Sequence, residues 1–172
     1  MNFRVLVFVD TWELGCSLHD RMNLFRPVEG GESILPIRWP LDDEAAEPLS
    51  WRRTARWQKW VELRNVISRI HRAGEAMIGH PLDLGRIFFE LLPSGKVMPW
   101  RTEAGSYYEN YLRVHVALRT NPAALMYAGT DAHHSMIGAL CLVNAQAPSC
   151  AVNFGESPRV HLVIDFRKKD AE

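Results

Sequence analysis

A mainly β fold with helices gathered towards the N-terminus is predicted by three observations. After Gly85, short β-prone runs follow one another at regular spacing, divided by turn signals. Helical periodicity is confined to the residues before that point. The 172 residues suffice for one hydrophobic core and are too few for two ordinary ones. The expectation is a single domain, 1–172, in which 1–85 form a helix-and-strand buttress and 86–168 form a sandwich or barrel.

Each element has its own local signal. Phe3 to Val9 is rich in Val and Phe and reads as a strand. Asp10 or Thr11 is placed to cap a following helix that carries Trp12, Leu14, Leu18, Met22 and Phe25 inward. Pro27 to Glu32, with its paired glycines, is a loop. Ile34 to Arg38 reads as a short edge strand, ended by Pro40 and an acidic loop to Pro48. From Thr54 to Arg72, Trp57, Trp60, Val61, Ile67 and Ile70 recur at helical spacing, with Arg56, Lys59, Arg69 and Arg72 mostly on other faces. The strands then follow as Arg86–Leu92, Lys96–Trp100, Tyr111–Leu118, Leu125–Tyr127, Ala132–Ile137, Ala139–Asn144, Cys150–Phe154 and Val160–Phe166. Pro93-Ser94-Gly95, Asn121-Pro122, Gly129-Thr130-Asp131, Gly138 and Gly155-Glu156-Ser157-Pro158 divide them.

Composition narrows the function classes. Twenty basic and twenty acidic residues cancel, so no global field draws the chain to nucleic acid or to a membrane surface. The basic helix with tryptophans is read as a core stripe with a solvated face rather than a base-stacking surface. The apolar run Val5 to Val9 is cut by Asp10, too short for a signal peptide or a bilayer span. Three cysteines, Cys16, Cys141 and Cys150, show neither disulfide nor zinc spacing. A reducing cytoplasm is the simplest location. Sequence does not set the oligomeric state.

Several stretches, in order, resemble the aspartyl/asparaginyl β-hydroxylase family. Arg86-Ile87-Phe88-Phe89-Glu90-Leu91-Leu92-Pro93-Ser94-Gly95 is similar to its strand ending in Leu-x-Pro-Gly, and Leu112-Arg113-Val114-His115-Val116 to its Arg-Leu-His strand. Pro158-Arg159-Val160-His161-Leu162-Val163-Ile164-Asp165 is similar to its closing strand. Leu35-Pro36-Ile37-Arg38 resembles an upstream element. The resemblance implies a double-stranded β-helix, the cupin or jelly-roll barrel, with N-terminal buttressing helices.

The resemblance also implies Fe(II) and 2-oxoglutarate chemistry, with iron on two histidines and a carboxylate. In the register it suggests, Trp100 stands for the first histidine, Thr102 for the aspartate and Ser149 for the distal histidine. Indole nitrogen cannot ligate a metal and neutral hydroxyls are poor iron ligands. Glu103 falls on the opposite face of the strand in this register, and reaches inward only if the strand ends before it. No metal and no cofactor are therefore expected, and Trp100 is expected to pack into the vacated site.

The anion-binding part is similar to the family's. Arg159 matches the arginine that grips the distal carboxylate of 2-oxoglutarate, a role suited to a bidentate guanidinium. Arg113 and His115 match pocket-lining residues. Alternation puts 113 with 115 on one face and 159 with 161 on one face. The candidate catalytic residues are His115, Tyr108 and Arg159. Candidate substrate-binding residues are Trp100, Thr102, Arg113, Ser149, Cys150 and His161, with Tyr107, Tyr108 and Tyr111 read either as a lid or as ordinary packing. His133-His134 is the only histidine pair, and its two side chains point to opposite sides of a strand.

The reading is a metal-independent enzyme of specialised metabolism, acting by cyclisation or isomerisation on an anionic or carbonyl-bearing small molecule. Two alternatives stay open: a non-catalytic ligand-binding or regulatory relative, and an oxygenase with unusual ligands.

Overall fold

The structure, a computed structural model, describes residues 1–28, 31–40 and 51–169. The expected acidic loop before Pro48 lies outside them. In chain order come β1 (Phe3–Phe8), α1 (Trp12–His19), a 3-10 turn at Met22–Leu24, β2 (Arg26–Pro27), β3 (Ser33–Pro40), β4 (Trp51–Arg53), α2 (Ala55–Lys59) and α3 (Val61–Ile78). Then follow β5 (Leu82–Leu92), β6 (Lys96–Arg101), α4 (Ser106–Asn110), β7 (Leu112–Arg119), β8 (Ala124–Ala128), β9 (Asp131–His133), β10 (Ala139–Val143), β11 (Ser149–Asn153) and β12 (Arg159–Lys168).

The strands form two antiparallel sheets. The larger runs β1-β10-β7-β12-β5-β3-β2 with β4 on β3, and the smaller runs β6-β11-β8-β9. This is the double-stranded β-helix. Leu92, Met98, Met126, Cys141, Val143 and Ala151 come from both sheets and pack as one buried cluster between them. Alternation divides the faces of the larger sheet. Val160, Leu162, Ile164 and Phe166 of β12, with Val114, Val116 and Leu118 of β7, join the helical residues Leu14, Leu18, Leu63, Ile67 and Ile70 in a second core. The intervening residues, Arg113 and His115 of β7 and Arg159, His161 and Asp165 of β12, are buried on the other face.

α3 forms because Leu63, Val66, Ile67 and Ile70 share one face and are 3% exposed or less. It ends at Gly79, whose positive φ of 70° closes the last turn at no steric cost. Trp60 is 2% exposed, stacks on Phe89 at 5.2 Å and donates to Ser17 Oγ at 2.8 Å. Its extended backbone breaks the predicted helix into α2 and α3.

Several expectations are corrected. Trp12 is 77% exposed and Val61 is 51% exposed; Leu14 and Leu18 carry the burial of α1 instead. The predicted edge strand Ile34–Arg38 is longer and paired on both sides, by β5 and by β2 and β4. β1 and β3 extend the larger sheet, so the first third does more than buttress. Ala132–Ile137 keeps strand pairing only to His133, with Ile137 bridging Ala117. The short helix α4, unforeseen in sequence, sets Tyr107 and Tyr111 against Gly85. A Cβ at Gly85 would lie 2.6 Å from Tyr111 Cε1 and 2.8 Å from the Tyr107 hydroxyl. Among the described residues no helix is long and apolar enough to cross a membrane.

A charged cavity between the sheets

β6 pairs with β11 through Met98 opposite Ala151 and Arg101 opposite Ser149. Three steps along β6 therefore face two along β11, the signature of a β-bulge. The extra residue resets the alternation. Met98 and Arg101 both turn inward, while Pro99, Trp100 and Thr102 are exposed. Trp100, 58% exposed and 6.2 Å from the Tyr127 ring, does not fill the vacated position. Glu103, expected on the opposite face, lines the cavity with Arg113. The motif facing inward is Arg101-x-Glu103.

The cavity is small, about 40 Å³, and is lined by polar Glu90, Arg101, Glu103, Arg113, His115 and Arg159 together with Met98, Met126, Ser149 and Cys150. Its charges form one connected network. Arg159, 1% exposed, pairs with Glu90 across the β12–β5 ladder. Arg113 clasps Asp165 bidentately at 2.8 and 2.9 Å and reaches Glu103 at 3.3 Å. Arg101 donates to Glu32 at 2.6 Å. Tyr107 donates to Asp165 at 3.0 Å and accepts from the Arg86 amide at 3.0 Å. The Arg86 guanidinium donates to the Tyr108 hydroxyl at 2.9 Å. Four arginines (86, 101, 113, 159) and four carboxylates (32, 90, 103, 165) balance within it.

Not every polar atom is satisfied. Among the described residues, Arg159 Nε and Nη1, His161 Nε2 and Glu32 Oε2 are buried without a hydrogen-bond partner. Arg159 therefore presents N–H groups beyond those Glu90 takes, in a place where an unmet donor costs about 1–3 kcal/mol. His115 and His161 meet through their Nδ1 atoms at 3.4 Å. Burial pushes His115 down to about 4, with Arg113 and Arg159 adding to the effect and Glu90 opposing it. Burial, Arg159 and His115 hold His161 well below its ordinary value. Burial alone would raise Glu90, but Arg159, His115, Arg101 and Arg113 together hold it below the usual carboxylate range. Burial raises Tyr108, which keeps its proton at neutral pH.

Arg113, His115, Arg159, Ser149 and Cys150 thus meet at one cavity, and His161 lies directly behind His115. Cys150 is buried, which raises its thiol. Trp100 and Thr102 face outward. Tyr108 packs behind Arg113, whose guanidinium lies 5.1 Å from its ring, and lines an outer crevice of about 360 Å³. Val143 and Ala145 line both spaces. Tyr107 and Tyr111, buried and stacked at 4.1 Å, are rim packing rather than a lid. Sequence reading missed Glu90, Asp165, Arg101, Glu32 and Arg86. A lone acid inside an otherwise apolar strand, as in Phe88-Phe89-Glu90-Leu91-Leu92, was the available signal.

The residues at the expected iron position do not suit iron. They offer one carboxylate, Glu103, already paired with Arg113 and near Arg101, and no imidazole. The Arg101 guanidinium lies among Glu103, Glu90 and Glu32. Among the described residues no group of three or more His, Cys, Asp or Glu side chains could hold a metal ion, His133 and His134 included.

The sequence profile of the Aspartyl/Asparaginyl beta-hydroxylase family matches residues 49–169. No curated protein matches the sequence. Solved structures share the fold at low identity. A 2OG-Fe(II) oxygenase family oxidoreductase from Burkholderia pseudomallei superposes with a TM-score of 0.68 at 13% identity, covering 94% of this chain and 82% of that one. The non-heme alpha ketoglutarate dependent epimerase SnoN from nogalamycin biosynthesis gives 0.65 at 14% identity, over 97% and 78%. The carbocyclase SnoK from the same biosynthesis gives 0.62 at 13% identity, over 98% and 79%.

Proposed function

The chain belongs to the aspartyl/asparaginyl β-hydroxylase family, and from that premise and its charged cavity we propose a metal-independent enzyme that rearranges an anionic or carbonyl-bearing small molecule by proton transfer. The observation that carries this reading is Arg159: deeply buried, lining the cavity, with N–H groups on Nε and Nη1 that no acceptor among the described residues meets. A ligand carboxylate or enolate oxygen is the acceptor such a donor pair selects.

His115 lines the same cavity and is neutral at pH 7, so it is free to accept a proton from carbon beside a carbonyl held at Arg159. The nearby Glu90 carboxylate stabilises the imidazolium that forms. Return of that proton to another carbon completes an isomerisation with no change of oxidation state. The outer crevice beside Tyr108 offers room for the body of a larger substrate. The epimerase and carbocyclase of nogalamycin biosynthesis, built on the same fold, support a setting in specialised metabolism.

A second reading, a regulatory relative without catalysis, is favoured by the size of the cavity. Its roughly 40 Å³ is well below the ~300 Å³ of ordinary ligand pockets.

One set of measurements separates these readings. Calorimetry with 2-oxoglutarate and simple keto acids is expected to show binding that Arg159→Gln weakens by at least about tenfold, and that Glu90→Gln does not weaken. NMR in D2O is expected to show deuterium entering the bound keto acid, and His115→Asn to abolish it. Binding without exchange would favour the regulatory relative. Iron-dependent formation of succinate would restore the oxygenase. No carboxylate binding at all would overturn the anion site.

A further inference from the structure

We propose that Glu32, Glu90 and Glu103 form a cation site at the mouth of the cavity, and that the chain fills it from within with the Arg101 guanidinium. The three carboxylates come from separate places: the turn before β3, the inner face of β5 and the residue two beyond the end of β6. Arg101 reaches them all. Nη1 lies 2.6 Å from Glu32, Nη2 lies 3.8 Å from Glu90 and Nε lies 3.7 Å from Glu103. Only the first is a hydrogen bond; the other two are ion pairs across a gap.

Two further features point to a site for positive charge. Glu32 is 3% exposed and its second oxygen has no hydrogen-bond partner among the described residues, an acceptor the single guanidinium leaves unmet. Among the described residues Glu32 has no ion-pair partner besides Arg101, whereas Glu90 is shared with Arg159 and Glu103 with Arg113. Without Arg101 the protein would hold an uncompensated buried carboxylate at Glu32, which the interior tolerates poorly. Here the positive charge is covalently part of the chain, so a chelator cannot remove it. The bulge at Pro99-Trp100 lies immediately before Arg101, and Arg101 faces inward.

The test is chemical rescue. Arg101→Ala is expected to melt roughly 5–10 °C below the wild type near neutral pH. Methylguanidinium chloride at roughly 10 mM is expected to recover at least half of that loss, and an equal concentration of tetramethylammonium chloride none of it. The wild type should not respond to methylguanidinium, because its site is filled. Arg101→Ala/Glu32→Gln, which removes a carboxylate with the cation, should be more stable than Arg101→Ala and respond less. If Arg101→Ala does not fold in buffer alone, its refolding in the two salts is compared by near-ultraviolet circular dichroism, with recovery expected only in methylguanidinium. Equal effects of the two salts, or an Arg101→Ala variant as stable as the wild type, would overturn the proposal. The role assigned to Arg159 plays no part in this test, so either reading can fail alone.

Discussion

Arg159 and Glu90 show how a single buried pair decides what a cavity can do. Taking one partner away leaves a charge in a place nearly sealed from water, and such a change costs about 3–5 kcal/mol. Replacing both with apolar residues of similar volume costs much less. The expectation for urea denaturation is that Glu90→Leu and Arg159→Met are each strongly destabilising, and that the double variant recovers most of the loss. Additive losses would mean that the two side chains do not act as a pair. Gly85 is a steric counterpart. Its lack of a Cβ leaves the space that the Tyr111 ring and Tyr107 hydroxyl use, and Gly85→Ala is expected to cost about 1–3 kcal/mol by overpacking, read as a lowered Tm.

Elements explain why residues of one type behave differently. Trp60 and Trp100 have the same side chain. The first sits at the break between α2 and α3, under the larger sheet, stacked on Phe89. The second sits in the β6 bulge and is thrown outward. Trp60→Ala is therefore expected to cost about 3–5 kcal/mol in chemical denaturation, and Trp100→Ala no more than about 0.5 kcal/mol. Trp100→Ala should also leave carboxylate affinity at the cavity unchanged. A large loss of affinity in that variant would place the indole inside the barrel after all. Helical periodicity made the α3 face legible from sequence. The bulge was not legible, because nothing in Pro99-Trp100-Arg101 states which residue the facing strand will skip.

At the scale of the whole molecule, two uncharged histidines sit inside a network of balanced charge, and this sets the response to acid. Both His115 and His161 have folded-state values lowered from the ordinary 6.5. Their unfolded forms therefore bind protons first as pH falls. The stability tied to their neutrality is present above about 6.5 and is lost as pH falls towards 4. Glu90, also lowered, adds a loss that begins only below its ordinary value of 4.5. Tm is expected to be flat between about pH 7 and 8 and to fall between about pH 6.5 and 4. His115→Gln/His161→Gln should flatten that limb while leaving the fall below 4.5. An unchanged limb in the double variant would assign the acid response to other groups.

Most of the order of strands and helices, the helical core stripe and the shared faces of 113 with 115 and 159 with 161 were determined by the sequence alone. Each rests on local periodicity, which a chain carries whatever it later touches. The partner of Arg159 was decided by tertiary structure, since Glu90 lies 69 residues away and meets it only through the register of β12 on β5. The exchange of Trp100 for Arg101 at the cavity was decided there too. A bulge shifts the phase of every residue beyond it by one, and whether a strand bulges depends on the strand it pairs with. Periodicity is a property of one segment; register is a property of two.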